Sequence, residues 1–482
     1  MINAVIMRRV TQIGIAAAMV GATVYLLNTV AEQGVWGLAA VLIWILPLLW
    51  IVFGGARWWM LMPLAVAFGG TFILEHKLFT HEIALPICVL ALLPLLASRR
   101  QEKIAREPMT SALWLLLALF IMNLIRSLLL SQWEGLGGGG SISRAYFHGL
   151  WAILFLIVFY LYGSTRSVKW LLILLYSTYL LRALAGVISF LVGQQVQIPY
   201  LNFVVGGGGF ADLRFTGIQL VLIAFACFQY IPSRWGKVMN LGVIGLSVWL
   251  VLIGGGRASL GMMCVIPVAW AVIRRRYGWF SVACGLVVMM VVILNQSPNL
   301  IYRFPVEAQR TMSILVGESS TQWLNWHSDV RASNEWHKRL SELGMDRWTE
   351  SVATIVFGNQ IEPFDDLYEA YSATFEDRAH VASRQGLYES GLWTLLSPMG
   401  LAGGLLYAYL FWFLLRGPLR VLREEGVCGL AHVFYFLAVL EIVIWSIFCW
   451  ISGGYPSHEL LMAGIAKAVY EDRKRSQPGD LV

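Results

Sequence analysis

Arg214 and Arg257 are the residues whose type and setting most clearly permit chemistry. The first closes the run Gly206-Gly207-Gly208-Gly209-Phe210-Ala211-Asp212-Leu213-Arg214 and the second follows Gly254-Gly255-Gly256, each beside an apolar stretch. A guanidinium is always charged, and its planar fork of N–H donors fits phosphate oxygens two at a time. Neighbouring glycines let backbone N–H groups approach the same anion. Two such forks converging on one site suit a phosphate or pyrophosphate. Taken singly, each arginine can instead snorkel to an interface or pair with a carboxylate such as Asp212. Two further residues, Glu389 and His380, have the chemistry of a general base. Against that, Glu389 also suits a helix N-terminus on dipole grounds alone. His380, among Glu376, Asp377, Arg378 and Arg384, also suits a solvated surface. His327 and His337, flanked by Trp326 and Trp336, read as surface or packing residues.

The elements that must position these groups are membrane helices. The chain has 482 residues, 58% of them hydrophobic and only 13% charged, which a soluble domain does not show. Apolar stretches of span length recur from Val10–Ala31 onward, through Gly217–Ile231, Val238–Ile253, Ala258–Ile273 and Phe280–Leu294 to Leu392–Leu415 and Leu430–Ile451, with a short one at Leu460–Tyr470. That predicts about 13 or 14 transmembrane helices. Short alternating strands, the mark of a barrel, do not occur.

Loop charge sets the orientation. Arg8 and Arg9, then Arg99, Arg100, Lys103 and Arg106, then Arg166 and Lys169, Arg234 and Lys237, Arg274 to Arg276, and Arg416, Arg420 and Arg423 fall in alternate loops. The positive-inside rule makes those loops cytoplasmic. Arg214, Arg257 and a long polar insert then share the outer face, with both termini inside. The net charge of +7 is accounted for by those loops, so no nucleic-acid partner is expected. None of the six cysteines shows paired or metal-ligand spacing, so neither a disulfide framework nor a metal site is expected.

Three units follow. Residues 1–295 carry transmembrane helices 1 to 11, residues 296–388 the large outer loop, and residues 389–482 the C-terminal helices and a cytoplasmic tail. The outer loop has tryptophans among many charges and helix-like spacing from Ser333 to Phe357. It is predicted to form a helical cap on the outer surface.

Arg214-Phe215-Thr216-Gly217 at the start of a span resembles the Arg-x-x-Gly element of the O-antigen ligase and polymerase superfamily. Arg257-Ala258-Ser259 resembles that family's second arginine element. Arg347-Trp348 with Gly358 resembles the Arg…Gly segment of its large outer loop, and the order of the three agrees. The resemblance covers roughly the second half of the chain. It implies an integral-membrane glycosyltransferase taking a glycan from an undecaprenyl-diphosphate carrier on the periplasmic face of the inner membrane. Arg214, Arg257 and Arg347 would hold the pyrophosphate, with no cofactor. Glu389-Ser390-Gly391-Leu392-Trp393 stands where the ligases carry a His-Asn element and is more like the polymerases, while a second alignment puts His380 there with Val381 in place of Asn. The expected function is therefore a polysaccharide polymerase working on two lipid-linked repeat units, with a chain-length regulator as a candidate partner. The alternatives are a ligase to lipid A-core, a protein-acceptor oligosaccharyltransferase and, from another class, a transporter.

Overall fold

In a computed structural model the described residues are 108–130, 150, 153, 156, 165–192, 213–228, 230–301, 303–316, 327–359, 374–384, 386, 388–424, 429–451 and 456–476. The apolar stretches before residue 108, the Gly137–Gly140 run, Asp212, Gly206–Gly209 and most of the Leu150–Gly163 span lie outside them. Among the described residues every regular element is a helix. In chain order these are α1 (Pro108–Leu130), α2 (Thr165–Val192), α3 (Leu213–Phe228), α4 (Arg234–Ile253), α5 (Arg257–Ile273), α6 (Tyr277–Gln296), the short α7 (Pro298–Ile301) and α8 (Val306–Met312), α9 (His327–Thr349), α10 (Val352–Phe357), α11 (Phe375–Arg384), α12 (Gly391–Glu424), α13 (Leu430–Phe448) and α14 (Ser457–Ser476).

Four stretches, Lys169–Ile188, Arg234–Ile253, Gly391–Arg423 and Leu430–Phe448, are long and apolar enough to cross a membrane. α1, α3, α5 and α6 carry shorter apolar segments. α13 is the centre, buried almost throughout and packed against α2, α3, α5, α12 and α14. Apolar burial alone does not hold helices together in lipid, so interhelical polar links matter. Asn240 of α4 supplies one: its Nδ2 donates to Ala224 O of α3 at 2.8 Å, and Tyr176 of α2 donates to its Oδ1 at 3.2 Å.

The stretch from Ser333 to Phe357, expected to be helical, is helical in two pieces. Ser351 interrupts it, forming a capping box with Thr354 that starts α10. α12 is also interrupted, at Pro398–Gly400, where Gly400 takes φ 60° and ψ −169°. A Cβ there would strike the Val356 carbonyl and the Gly358 amide, so only glycine lets α10 pass so close. The freed carbonyls find donors. Asn123 Nδ2 of α1 reaches Pro398 O at 2.6 Å and Phe357 O at 3.1 Å, and Asn359 N donates to Ser397 O. Arg126 donates to Gly358 O at 3.3 Å. These donors meet the requirement that backbone exposed by a broken membrane helix be satisfied by its neighbours.

Hydrogen bonds between helix ends gather one face of the bundle. Thr311 of α8 donates to Leu252 O at the end of α4, and Asn295 of α6 donates to Leu315 O. Ser390 Oγ and Leu392 N, at the start of α12, both donate to Cys449 O at the end of α13. The starts of α3, α5 and α12 and the ends of α4, α6 and α13 therefore share one end, across which α8 and α9 lie. The opposite end is basic: Arg274 stacks over Phe436 and Arg416 over Phe413.

Candidate functional site

The site begins with two helices that open on a cation. The described part of α3 begins at Leu213, with Arg214 the next residue. Arg257 is the first residue of α5, with Gly256 as N-cap and no capping side chain. A positive residue at the N-terminus of α5 opposes the helix dipole, and its first turn holds no acid. Helix formation therefore does not explain Arg257. An anion bound there would meet both the guanidinium groups and the N–H ends of the helices.

The two arginines are neighbours because of the Gly254–Gly256 turn. A Cβ on Gly254 would lie 2.8 Å from Arg214 N, and one on Gly256 would lie 2.7 Å from Arg214 Cδ and 2.8 Å from Ser259 Oγ. Gly255 takes φ +71°. The glycine run thus lets the Arg214 side chain pass directly over the turn that delivers Arg257.

A third arginine joins from the insert. Arg310, at the end of α8, is a like-charged neighbour of Arg257, and its Nε is buried with no hydrogen-bond partner. α9 crosses the same end with Ser333, Trp336 and His337 on one face. Arg257 Nη2 donates to Ser333 Oγ at 3.3 Å. One helical turn on, His337 Nδ1 is 3.4 Å from Glu389 Oε2, and Trp336 Nε1 donates to Glu389 Oε1 at 3.4 Å. Glu389 holds that position with φ 54°, a left-handed conformation that costs a non-glycine residue energy.

The electrostatics are one-sided. Burial lowers the pKa of His337 below its ordinary value. Glu389 opposes the shift, and Arg257, Arg214 and Arg310 reinforce it. All three arginines thus act on one imidazole, which stays neutral at neutral pH and able to take a proton.

The remaining expected site residues lie elsewhere. Arg347 sits about 15 Å farther along α9 than His337, at the helical rise per residue. Its surroundings are those of α10 and α12: its carbonyl accepts from Asn359 Nδ2 at 3.3 Å, and the adjoining Trp348 packs on Trp393 with ring centroids 6.0 Å apart. His380 is on the exposed side of α11, with Asp377 as a charged neighbour. The buried side of that helix, Ala379 and Ser383, faces α9, and Arg339–Glu376 at 2.8 Å pins the two together.

Sequence reasoning brought forward Arg214, Arg257 and Glu389 but passed over Arg310 and His337. His337 read as a packing residue because it follows Trp336. One signal was available: Ser333, Trp336 and His337 repeat at one-turn spacing, so a polar stripe runs along an otherwise charged helix. Nothing in the sequence sets Arg310 apart from Arg303. No family model, no curated protein and no solved structure matches this chain.

Proposed function

We propose that the protein is a glycosyltransferase that uses a polyprenyl-diphosphate-linked glycan as donor, polymerising repeat units on the outer face of the bacterial inner membrane. The observation that carries this reading is the convergence of Arg214, Arg257 and Arg310 on the His337–Glu389 pair. The three arginines bring positive charge to one imidazole. A lipid diphosphate carries the matching negative charge and leaves its isoprenoid chain in the bilayer.

The geometry supports the following step. The acceptor hydroxyl gives its proton to neutral His337, whose cationic form Glu389 stabilises, and the oxygen attacks the anomeric carbon. The bond from that carbon to the diphosphate oxygen breaks, and its electron pair leaves with the diphosphate. The arginines meet the charge that develops there. Fixed donors of this kind contribute about 3 to 4 kcal/mol each to a transition state in other enzymes. The acceptor, a second lipid-linked unit, also distinguishes a polymerase from a ligase, which differs only at that point.

The test is made in the native host and with purified protein. Arg214→Ala or Arg257→Ala should leave surface glycan at a single repeat unit, and purified protein in liposomes should release polyprenyl diphosphate as it elongates the glycan. A long polymer stranded on its carrier would instead indicate a ligase. Absence of glycan transfer by the wild type with any lipid-diphosphate donor would end the proposal.

A further inference from the structure

A second polar constellation lies inside the bundle, away from the arginines, and the glycosyl-transfer step does not use it. Glu441 is 3% exposed, on the central helix α13 about 12 Å below its junction with Ser390. His458 Nδ1 of α14 is 2.9 Å from Glu441 Oε2, and His458 Nε2 is 3.4 Å from the Tyr179 hydroxyl of α2. Glu441 Oε1 is buried with no hydrogen-bond partner.

Each element packed on α13 contributes differently here. α2 brings Tyr179 and Arg182, which is 7% exposed, and α14 brings His458 and Glu459. The charges of Arg182, Glu441 and Glu459 all act on Tyr179. α12 adds the buried Tyr407, in the same apolar cluster as Ile442. The charged residues of α3, α5 and α12, namely Arg214, Arg257, Arg416, Arg420, Arg423 and Glu424, stand towards their helix ends, as does Arg274 just beyond α5. α14's Lys467, farther along, pairs with Glu471 at 2.8 Å.

We propose that Glu441, His458 and Tyr179 form a membrane-embedded proton-binding site. The proposal does not rest on the glycosyl-transfer reading. Its basis is that one arrangement of heavy atoms satisfies two protonation states. With the ring neutral, Nδ1–H donates to Glu441 and the Tyr179 hydroxyl donates to Nε2. With the ring protonated, Nδ1–H still donates to Glu441, while Nε2–H donates to a Tyr179 oxygen whose hydroxyl has rotated. One proton is thus taken up or released by turning a hydroxyl, without displacing a helix. Ionisable groups inside membrane bundles commonly serve proton relays for this reason.

The experiment is nitrogen-15 NMR of histidine-labelled full-length protein in lipid nanodiscs, titrated from about pH 5 to 8. His458 is assigned by its loss in His458→Gln. Should that variant not fold, Tyr179→Phe, which removes only the hydroxyl at Nε2, makes the assignment. The expected result is a ring that titrates within this range and keeps Nδ1 protonated throughout. Glu441→Gln, nearly the same shape, should lower the midpoint by at least about one pH unit. A ring fixed in one state across the range, or a midpoint indifferent to Glu441→Gln, would show a purely structural lock and overturn the proposal.

Discussion

The two polar constellations use the same side chains, arginine, histidine and glutamate, in opposite ways. At the end of the bundle the groups come from helix starts, a turn and the insert, half-exposed, and three arginines act on one imidazole. In the interior they come from mid-helix positions or the first turn of α14, largely buried, and one imidazole lies between a carboxylate and a hydroxyl. Arginines gathered at helix ends are arranged for an external anion. An imidazole held between an acceptor and a rotatable hydroxyl has room for a change of one proton.

The comparison can be broken most severely at the exposed end. Arg257→Ala should cut polymer formation by about 10²- to 10³-fold, the size of losing a fixed donor to a developing anion, measured as glycan elongated per unit time. Lysine at that position should recover little, because a point charge lacks the fork that grips two oxygens. Full recovery by Arg257→Lys would reduce the site to bulk positive charge. His337→Gln should cost about 10²-fold if the imidazole accepts the proton.

The pH dependence separates the residues further. His337 titrates below its ordinary 6.5, so the rate should be level at neutral pH and fall as pH drops through that lowered value. Removing a neighbouring cation with Arg310→Ala should move this acidic limb to higher pH. An unmoved limb would place the titrating base elsewhere, with His380 the next residue to examine.

Smaller effects test the scaffold. Gly256→Ala forces Arg214 Cδ away from the turn and should cost about tenfold in rate, in line with misplaced catalytic groups, with the thermal midpoint little changed. Chelation by EDTA should leave the rate unaltered if the arginines do the work of a divalent cation. Loss restored by Mg²⁺ would contradict that assignment. Glu441→Gln should leave transfer within about twofold while shifting the His458 titration, because the two constellations are separate sites and distant sites behave independently.

The sequence carried the exposed site further than the buried one. The pairing of a glycine turn with an arginine at the mouth of a helix is a local signal, so Arg214 and Arg257 were legible, and Gly254–Gly256 is the device that joins them. Glu389 was legible only through the family resemblance, which aligns it with the element that ends the outer loop. Arg310 and His337 were not, because each reaches the site only through the path of the insert, and no local pattern records that path. The interruption of α12 was hidden for a similar reason: Pro398 and Gly400 sit in an apolar run that reads as continuous helix, and Asn123, which satisfies the break, is 275 residues away in sequence. Tyr179, Glu441 and His458 lie on three different helices: Glu441 alone looks like an isolated polar residue in an apolar stretch, while Tyr179 follows Ser177-Thr178 and His458 stands in Ser457-His458-Glu459, and nothing local joins the three.

Three arginines and one imidazole acting as a single anion site can be probed by calorimetry with inorganic pyrophosphate. Binding should neutralise the arginines' field and raise the affinity of His337 for a proton. Titration near pH 6 in buffers of different ionisation enthalpy should therefore show proton uptake that disappears in His337→Gln, and binding should weaken at least tenfold in Arg214→Ala, Arg257→Ala and Arg310→Ala alike. Pyrophosphate binding that is indifferent to all three arginines, or that draws no proton from the buffer, would contradict a single anion site.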